Sequence, residues 1–394
     1  MSRDFWSDDF GPTLPDAEFT AAVKAAQLRV LDAKGRERRV VLATLVSEHA
    51  FEGNDLWHTF LQSLRNITFV GAGGRQDHLA AHLLAAVLTL PNNTAASCSR
   101  HSAALGAHCA AVRSPMFTPH DAYGYMTLPS FALSFAKILT LANVLSAGAD
   151  VLFLDCDQVL FKNPLPYLLE RDMDVQLTGG GCFAREDDKP DPGFPSNDIN
   201  IGFVYLRAVP MAIRAMTDWL HIVVHRARRG SPTMDQPAFH IMFEDLLADG
   251  LMPKYITGTI LRSELFPQYC NGPCGCNTKG KKLGQKGNAE RRDKASGMCR
   301  TEAVRNWYNF HVPCSGDLNK KAQILVDFVA MYDKAIGPVG SRSDPMHVVG
   351  GPLPPSQPPP AAVTKGRALA GLASEGAAGA DSAGSWSRRS RLGL

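Results

Sequence analysis

Val151-Leu152-Phe153-Leu154-Asp155-Cys156-Asp157-Gln158-Val159-Leu160-Phe161-Lys162-Asn163-Pro164 decides how the rest of this chain is read. Four consecutive apolar residues, Val151 to Leu154, predict a strand buried on both faces, as in the middle of a mostly parallel sheet. Two carboxylates close the run. Side chains alternate along a strand, so Asp155 and Asp157 share a side while Cys156 points away from them. Like charges held that close at the end of an apolar strand repel and are costly to desolvate. A divalent cation such as Mn²⁺ or Mg²⁺ relieves both problems and keeps coordination sites for phosphates. Ligands of open α/β sheets bind at the carboxyl edge of the strands. The pattern is a candidate Asp-x-Asp site for a metal and a nucleotide diphosphate; the plainer alternative is a solvated strand end, and the motif alone does not choose between them.

A chain of 394 residues suffices for one large α/β domain or two small ones. The net charge of +3 gives no argument for nucleic acid as a partner. Residues 337–394 carry six basic and three acidic side chains, so the tail alone accounts for that surplus. Nine cysteines is an odd count, with Cys270, Cys274, Cys276 and Cys299 close together. Disulfides in a secretory lumen account for this better than a zinc site, because C-x₃-C-x-C is not a standard zinc spacing. Asn66-Ile67-Thr68 and Asn92-Asn93-Thr94 have the form of glycosylation acceptors, a form that also arises by chance. No stretch approaches the run of about 20 apolar residues that a membrane span needs. Residues 1–15 are acidic and aromatic, so no signal peptide is expected there. Either the protein is soluble where it is made or its true amino terminus is missing.

Along the chain, residues 1–38 form an extension with a helix over 16–33, and 39–46 is the first core strand. A helix follows over 55–64. Gly71-Ala72-Gly73-Gly74 lacks the Lys-Ser/Thr ending of a phosphate loop and predicts a plain turn. Residues 82–89 make a second strand. Residues 130–147 make a helix whose apolar stripe is Phe131, Phe135, Ile138, Leu139, Ala142 and Leu145, stopped by Gly148. Lys137 lies off that stripe: a solvated lysine by default, a phosphate contact if the sheet edge is near. A strand covers 198–206 and a helix 212–226, where His221 and His225 are ordinary helix histidines. A further helix starts near Asp235, its candidate N-cap. Residues 277–300 form a basic loop, 304–311 a late strand, and 318–335 a closing helix. The Pro-, Ala-, Gly- and Ser-rich stretch 337–394 should be disordered.

The Asp-x-Asp strand is followed by Asn200-Ile201-Gly202-Phe203, Asp218-Trp219, Asp235-Gln236-Pro237-Ala238-Phe239, Leu265-Phe266-Pro267, then His311, Gly316 and Lys320. This order resembles the nucleotide-diphospho-sugar transferase family that includes plant and algal extensin arabinosyltransferases and pectin xylosyltransferases. The resemblance implies a GT-A fold: a Rossmann-like, mixed but mostly parallel sheet flanked by helices, over residues 39–336, with a Cys-rich basic insert at 270–300. It implies Asp155, Asp157 and His311 as ligands of Mn²⁺ (or Mg²⁺), and Lys137, Gly316 and Lys320 near the donor's phosphates. The interval after His311 departs from the commoner spacing, so Lys321 could take the place of Lys320. Asn200 and Gly202 would face the donor sugar, with Asp235 and Gln236 flanking its ring as the catalytic pair. The implied partners are a UDP-sugar donor and a glycan or glycoprotein acceptor, the implied reaction is retaining, and the implied location is the Golgi lumen.

Two other readings compete. A haloacid-dehalogenase-type phosphatase also carries Asp-x-Asp after an apolar strand, but it needs a late Gly-Asp-x-x-x-Asp. The nearest stretch, Gly316-Asp317-Leu318-Asn319-Lys320-Lys321, ends in lysine. A catalytically inactive glycan-binding fold is opposed by intact Asp155, Asp157, Asn200, Asp235 and Gln236.

Overall fold

The strand predicted at Val151 lies in an eight-stranded sheet. The structure is a computed structural model that describes residues 17–51, 55–89, 94–113, 128–180, 199–270, 273–274, 276, 299–314, 317–336, 346 and 348–349. The strands are β1 (Leu28–Leu31), β2 (Glu37–Ser47), β5 (Leu83–Thr89), β6 (His108–Arg113), β7 (Asp150–Leu154), β9 (Val175–Gly179), β10 (Ile199–Leu206) and β11 (Gly258–Leu261). Two small sheets pair β3 (Thr68–Val70) with β4 (Gln76–His78), and β8 (Gln158–Leu160) with β12 (Asn309–His311). The order in the large sheet is β11-β9-β10-β7-β2-β5-β6, with β1 paired to β2. Strand β2 is parallel to both β5 and β7, whereas β10 runs antiparallel to β7 and β9. The sheet is therefore mixed and largely parallel, as the sequence predicts.

Every residue of β5 and β7 is buried, because helices cover both faces. Val41, Ala43, Val151 and Phe153 pack on one side with helices α4 (Leu128–Ser146), α6 (Pro210–Arg228) and α7 (Asp235–Ala248). Val40, Leu42, Leu152 and Leu154 pack on the other with α2 (Leu56–Arg65), α3 (Ala96–Ser102) and α5 (Leu165–Glu170). This alternation is the period-two pattern of a strand sandwiched between helical layers. A third apolar cluster gathers Val159, Phe161, Trp307, Phe310 and the inner face of α9 (Leu318–Ile336). Its rings stack closely, Phe310 on Phe328 at 3.8 Å and Phe161 on Tyr332 at 4.1 Å.

Several expectations need correction. The helix read over 16–33 stops early: α1 (Ala17–Ala26) buries Phe19, Val23 and Ala26, and Leu28–Leu31 is then strand β1, hairpinned to β2. Asp32 closes that hairpin by accepting from the amides of Lys34 and Arg36, with Gly35 at φ +72°. From Ala17 onward the expected extension is thus part of the fold. The strand expected over 304–311 is a short helix, α8 (Thr301–Asn306), followed by the three residues of β12. Most of the basic insert and of the tail lie outside the described residues. Met346 and Val348 are nevertheless buried, and Val348 bridges to Val30, so that point of the expected disordered stretch packs against the sheet. Gly71–Gly74 is a turn between β3 and β4, as predicted.

A cluster of charges ties the β1–β2 turn to the far end of α5. Lys34, Arg207 (2.5 Å) and Arg36 (2.9 Å) all contact Asp172 and hold its carboxyl well below the usual carboxylate range. A depressed carboxyl stabilises the fold above the ordinary aspartate range, and that contribution is lost as pH falls towards the depressed value. Asp172→Asn should lower the melting temperature slightly at neutral pH and should converge with the wild type below about pH 4. Calorimetric melts across that range measure it, and a constant gap between the two proteins would count against the ion pairs.

Candidate active site

Strand β7 ends at Leu154, and the chain turns through Asp155, Cys156 and Asp157 into β8. The alternation of β7 persists through this turn. Asp155 follows Phe153 towards α4, while Cys156 packs against the two apolar clusters on the opposite side. Burial, with Asp157 and Asp155 alongside, pushes the Cys156 thiol well up.

The last residue of β12, His311, meets both acids. Its Nε2 lies 2.9 Å from Asp157 Oδ1 and 4.0 Å from Asp155 Oδ2, and its side chain is 1% exposed. One ligand atom from each of Asp155, Asp157 and His311 can be chosen so that all three lie within 4.8 Å of one another. Two carboxylate oxygens and an imidazole nitrogen at that spacing fit a divalent cation. His311 Nδ1 is buried without a hydrogen-bond partner among the described residues.

A bulge in β10 makes room for this cluster. Asn200 pairs with Thr178 and Val204 with Leu177, so Ile201, Gly202 and Phe203 have no partners on β9. Asn200 Oδ1 accepts from the Gly202 amide at 2.8 Å, and Gly202 O accepts from the Asp155 amide at 2.7 Å. A Cβ on Gly202 would stand 2.2 Å from His311 Cε1 and 2.6 Å from Asp155 Oδ2. Only glycine leaves space for the acid and the histidine to meet. Gln158 braces the same point, donating to Gly202 O at 2.8 Å while its Oε1 accepts from Asn309 at 2.7 Å. Sequence reasoning missed this residue; an amide directly after the acid pair, in an otherwise apolar run, was the available signal.

Two lysines flank the acids. Lys137, expected off the apolar stripe and solvated by default, is 5% exposed. Its Nζ lies 3.2 Å from Asp155 Oδ1, 3.4 Å from Asp235 Oδ2 and 4.5 Å from the Phe153 ring centroid. Burial disfavours its charge, but the two carboxylates outweigh that and raise its pKa. Lys321 Nζ lies 2.5 Å from Asp157 Oδ2. Burial likewise works against the charge on Asp157, yet Lys321 and His311 hold its carboxyl well below the usual range. Lys320 points elsewhere, 59% exposed and 3.7 Å from Asp317, so Lys321 rather than Lys320 joins the cluster. Gly316 lies outside the described residues.

Asp235 is the first residue of α7, not its N-cap, which is Met234. Its Oδ1 accepts from the Gln236 amide at 2.9 Å and from Ser134 Oγ at 3.3 Å. Gln236 Nε2 donates to Ile199 O at 2.9 Å, which places the pair beside Asn200 on the bulged strand. The arm that carries His311 and Lys321 is fastened by a disulfide between Cys270 and Cys314. Cys98–Cys109 and Cys276–Cys299 are also bridged, and Cys274 is disulfide-bonded, so the late cysteines serve disulfides. His221 and His225 stack at 5.7 Å on the outside of α6 and take no part.

A helix-flanked, largely parallel sheet with an acid pair, a histidine and two lysines at the end of a central strand has the layout of a nucleotide-sugar-binding α/β protein. Residues 94–323, more than half of the chain, match the model of the nucleotide-diphospho-sugar transferases, and the chain belongs to that family of glycosyltransferases. Comparison with curated protein sequences found no match. Among solved structures, the glycosyltransferase GlyE of Streptococcus pneumoniae TIGR4 is 11% identical over 75% of this chain, with a TM-score of 0.39. This chain spans 63% of the length of that GlyE structure. Mouse xyloside xylosyltransferase 1 is 14% identical over 70% of this chain and 98% of its own, with a TM-score of 0.36. The galactosyltransferase LgtC, solved with donor and acceptor sugar analogues, is 11% identical over 76% of this chain and 97% of its own, with a TM-score of 0.40. The phosphatase reading is not favoured, since the family match covers the Asp155 turn. Among the described residues, no helix is long and apolar enough to cross a membrane.

Proposed function

We propose that the protein transfers a sugar from a nucleotide diphosphate, UDP by preference, to a glycan or glycoprotein acceptor, with Asp155, Asp157 and His311 holding a divalent cation. The observation that carries this reading is the convergence of those three side chains with Lys137 and Lys321 at the end of β7. The imidazole in the donor set favours Mn²⁺ over Mg²⁺, which prefers oxygen ligands. When bound, the cation supplies positive charge against the diphosphate that departs from the anomeric carbon. Lys321, on the same acid, adds a flexible point charge for that phosphate. Lys137, enclosed by Asp155 and Asp235, sets the orientation of both carboxylates.

Asn200 and Gly202 shape the floor under the sugar. Asp235, held by Lys137 and Ser134, and Gln236, held by Ile199 O, flank its ring. An amide is a poor nucleophile, so Gln236 offers a dipole to the oxocarbenium-like centre, and the departing phosphate accepts the proton of the attacking hydroxyl. That route retains the anomeric configuration. NMR of the product anomer tests it, and inversion would reject it. The described disulfides support an oxidising secretory compartment such as the Golgi lumen.

The test of the whole reading is calorimetry against a panel of UDP-sugars with and without Mn²⁺, together with UDP release. Mn²⁺-dependent binding and release, both lost in Asp157→Ala, are expected; binding indifferent to metal and to that substitution would defeat the proposal. Lys321→Ala should reduce kcat/KM for the donor by roughly a hundredfold, while Lys320→Ala stays near wild type. Equal losses from both would show that the acid-paired lysine is not the phosphate contact.

A further inference from the structure

The proposed reaction leaves the Asn66-Ile67-Thr68 triplet unused. Asn66 follows the last turn of α2 at φ −71° and ψ −12°, where the chain leaves the helix for the β3–β4 hairpin. Ile67 is fully buried and fixes the turn: its amide donates to Leu64 O at 3.3 Å, and its carbonyl accepts from the Leu79 amide at 3.1 Å. Asn66 and Thr68 on either side are partly exposed. The Asn66 Oδ1 accepts from Gln62 Nε2 at 2.8 Å, and Nδ2 makes no hydrogen bond among the described residues. A side-chain amide on a surface turn, its oxygen held and its nitrogen unengaged, can carry a large substituent without disturbing the core.

A second, independent observation bears on the compartment. Cys98–Cys109, Cys270–Cys314 and Cys276–Cys299 are bridged, and such bonds form and persist in the oxidising lumen of the secretory pathway. That is also where Asn-x-Ser/Thr acceptors are glycosylated. The triplet by itself arises often by chance; the triplet on an accessible turn of a disulfide-bonded chain is a narrower finding.

We infer that Asn66 is an N-glycosylation site. The donor is an oligosaccharide linked through diphosphate to a lipid and delivered by the host's own oligosaccharide-transferring enzyme. Asn66 Nδ2 forms a bond to the anomeric carbon, the bond from that carbon to the diphosphate breaks, and the amide gives up one proton as the lipid diphosphate leaves. No oxidation or reduction is involved. The fold places the glycan away from the acid cluster. Leu79, bonded to Ile67, leads through a single helical turn into the amino end of β5, whereas Asp155 follows the carboxyl end of β7. Both strands run parallel to β2, so the two positions belong to opposite edges of the sheet. This inference does not depend on the transferase reading.

The test is peptide mass spectrometry of the full chain, directed into the secretory pathway of a eukaryotic host, in an Asn92→Gln background. The peptide containing Asn66 should carry a hexose and N-acetylhexosamine mass. Peptide:N-glycosidase in ¹⁸O-water should convert that asparagine to labelled aspartate. Asn66→Gln and Thr68→Ala should abolish the modification, while Thr68→Ser, which keeps the acceptor pattern, should retain it. Should a variant fail to accumulate, the wild-type peptide alone decides. An unmodified Asn66 peptide from chain recovered with Cys98–Cys109 intact overturns the inference.

Discussion

Asp157→Asn should lower kcat/KM for sugar transfer by on the order of a thousandfold or more and, separately, should destabilise the protein. The two effects have different causes. The amide is a weak ligand for a hard cation, so metal-dependent donor binding goes. Stability falls because Lys321, on the same carboxylate at 2.5 Å and with a side chain only 14% exposed, is left charged without its partner. Removing one member of a buried pair in this way costs about 3–5 kcal/mol. The double variant Asp157→Asn, Lys321→Met separates them. Replacing the stranded charge by an unbranched apolar side chain should restore most of the lost melting temperature and none of the Mn²⁺ binding. A double variant that regained Mn²⁺ affinity would remove Asp157 from the ligand set. One that regained no stability would show that the ion pair contributes little to the fold.

Gly202→Ala adds a single methyl group and should also have a large effect. The added methyl would stand 2.2 Å from His311 Cε1 and 2.6 Å from Asp155 Oδ2, so one of these side chains must move. His311 has little freedom: its ring is buried, and β12 is paired to β8 beside it. Overpacking of this kind costs about 1–3 kcal/mol. A displacement near 1 Å at a reacting centre costs roughly a hundredfold in rate. The expected result is a folded protein with a slightly reduced melting temperature, at least about a hundredfold less activity and weakened Mn²⁺ affinity. Wild-type Mn²⁺ affinity in this variant would mean that the bulge of β10 does not set the distance between the acid and the histidine.

How much of this was legible beforehand depends on the range of the physical signal. The run from Val151 to Asp157 was readable because burial on both faces, strand alternation and like-charge repulsion all act within seven residues. The helix at 128–146 was readable too, but Lys137 was not. A single apolar stripe implies one wet side, whereas α4 lies between the sheet and two further helices. The strand at Leu28–Leu31 escaped because its pattern has meaning only beside β2; the hairpin signal was Gly35. Helix α8 is six residues long, too short for a period to register against the strand-like Trp307-Tyr308-Asn309-Phe310 that follows. Choosing between Lys320 and Lys321 required the helical phase of α9, which an irregular turn after His311 conceals from sequence spacing.

The acids and the histidine belong to different parts of the fold. Asp155 and Asp157 close a strand of the main sheet, whereas His311 and Lys321 ride on the third apolar cluster, built largely from residues beyond position 300. A nascent chain leaving the ribosome can therefore lay down the strand that ends in Asp155 and Asp157 while His311 and Lys321 are still unsynthesised. The proposed site is complete only once α9 has docked, so a product terminated before it could fold most of its sheet and still be inert.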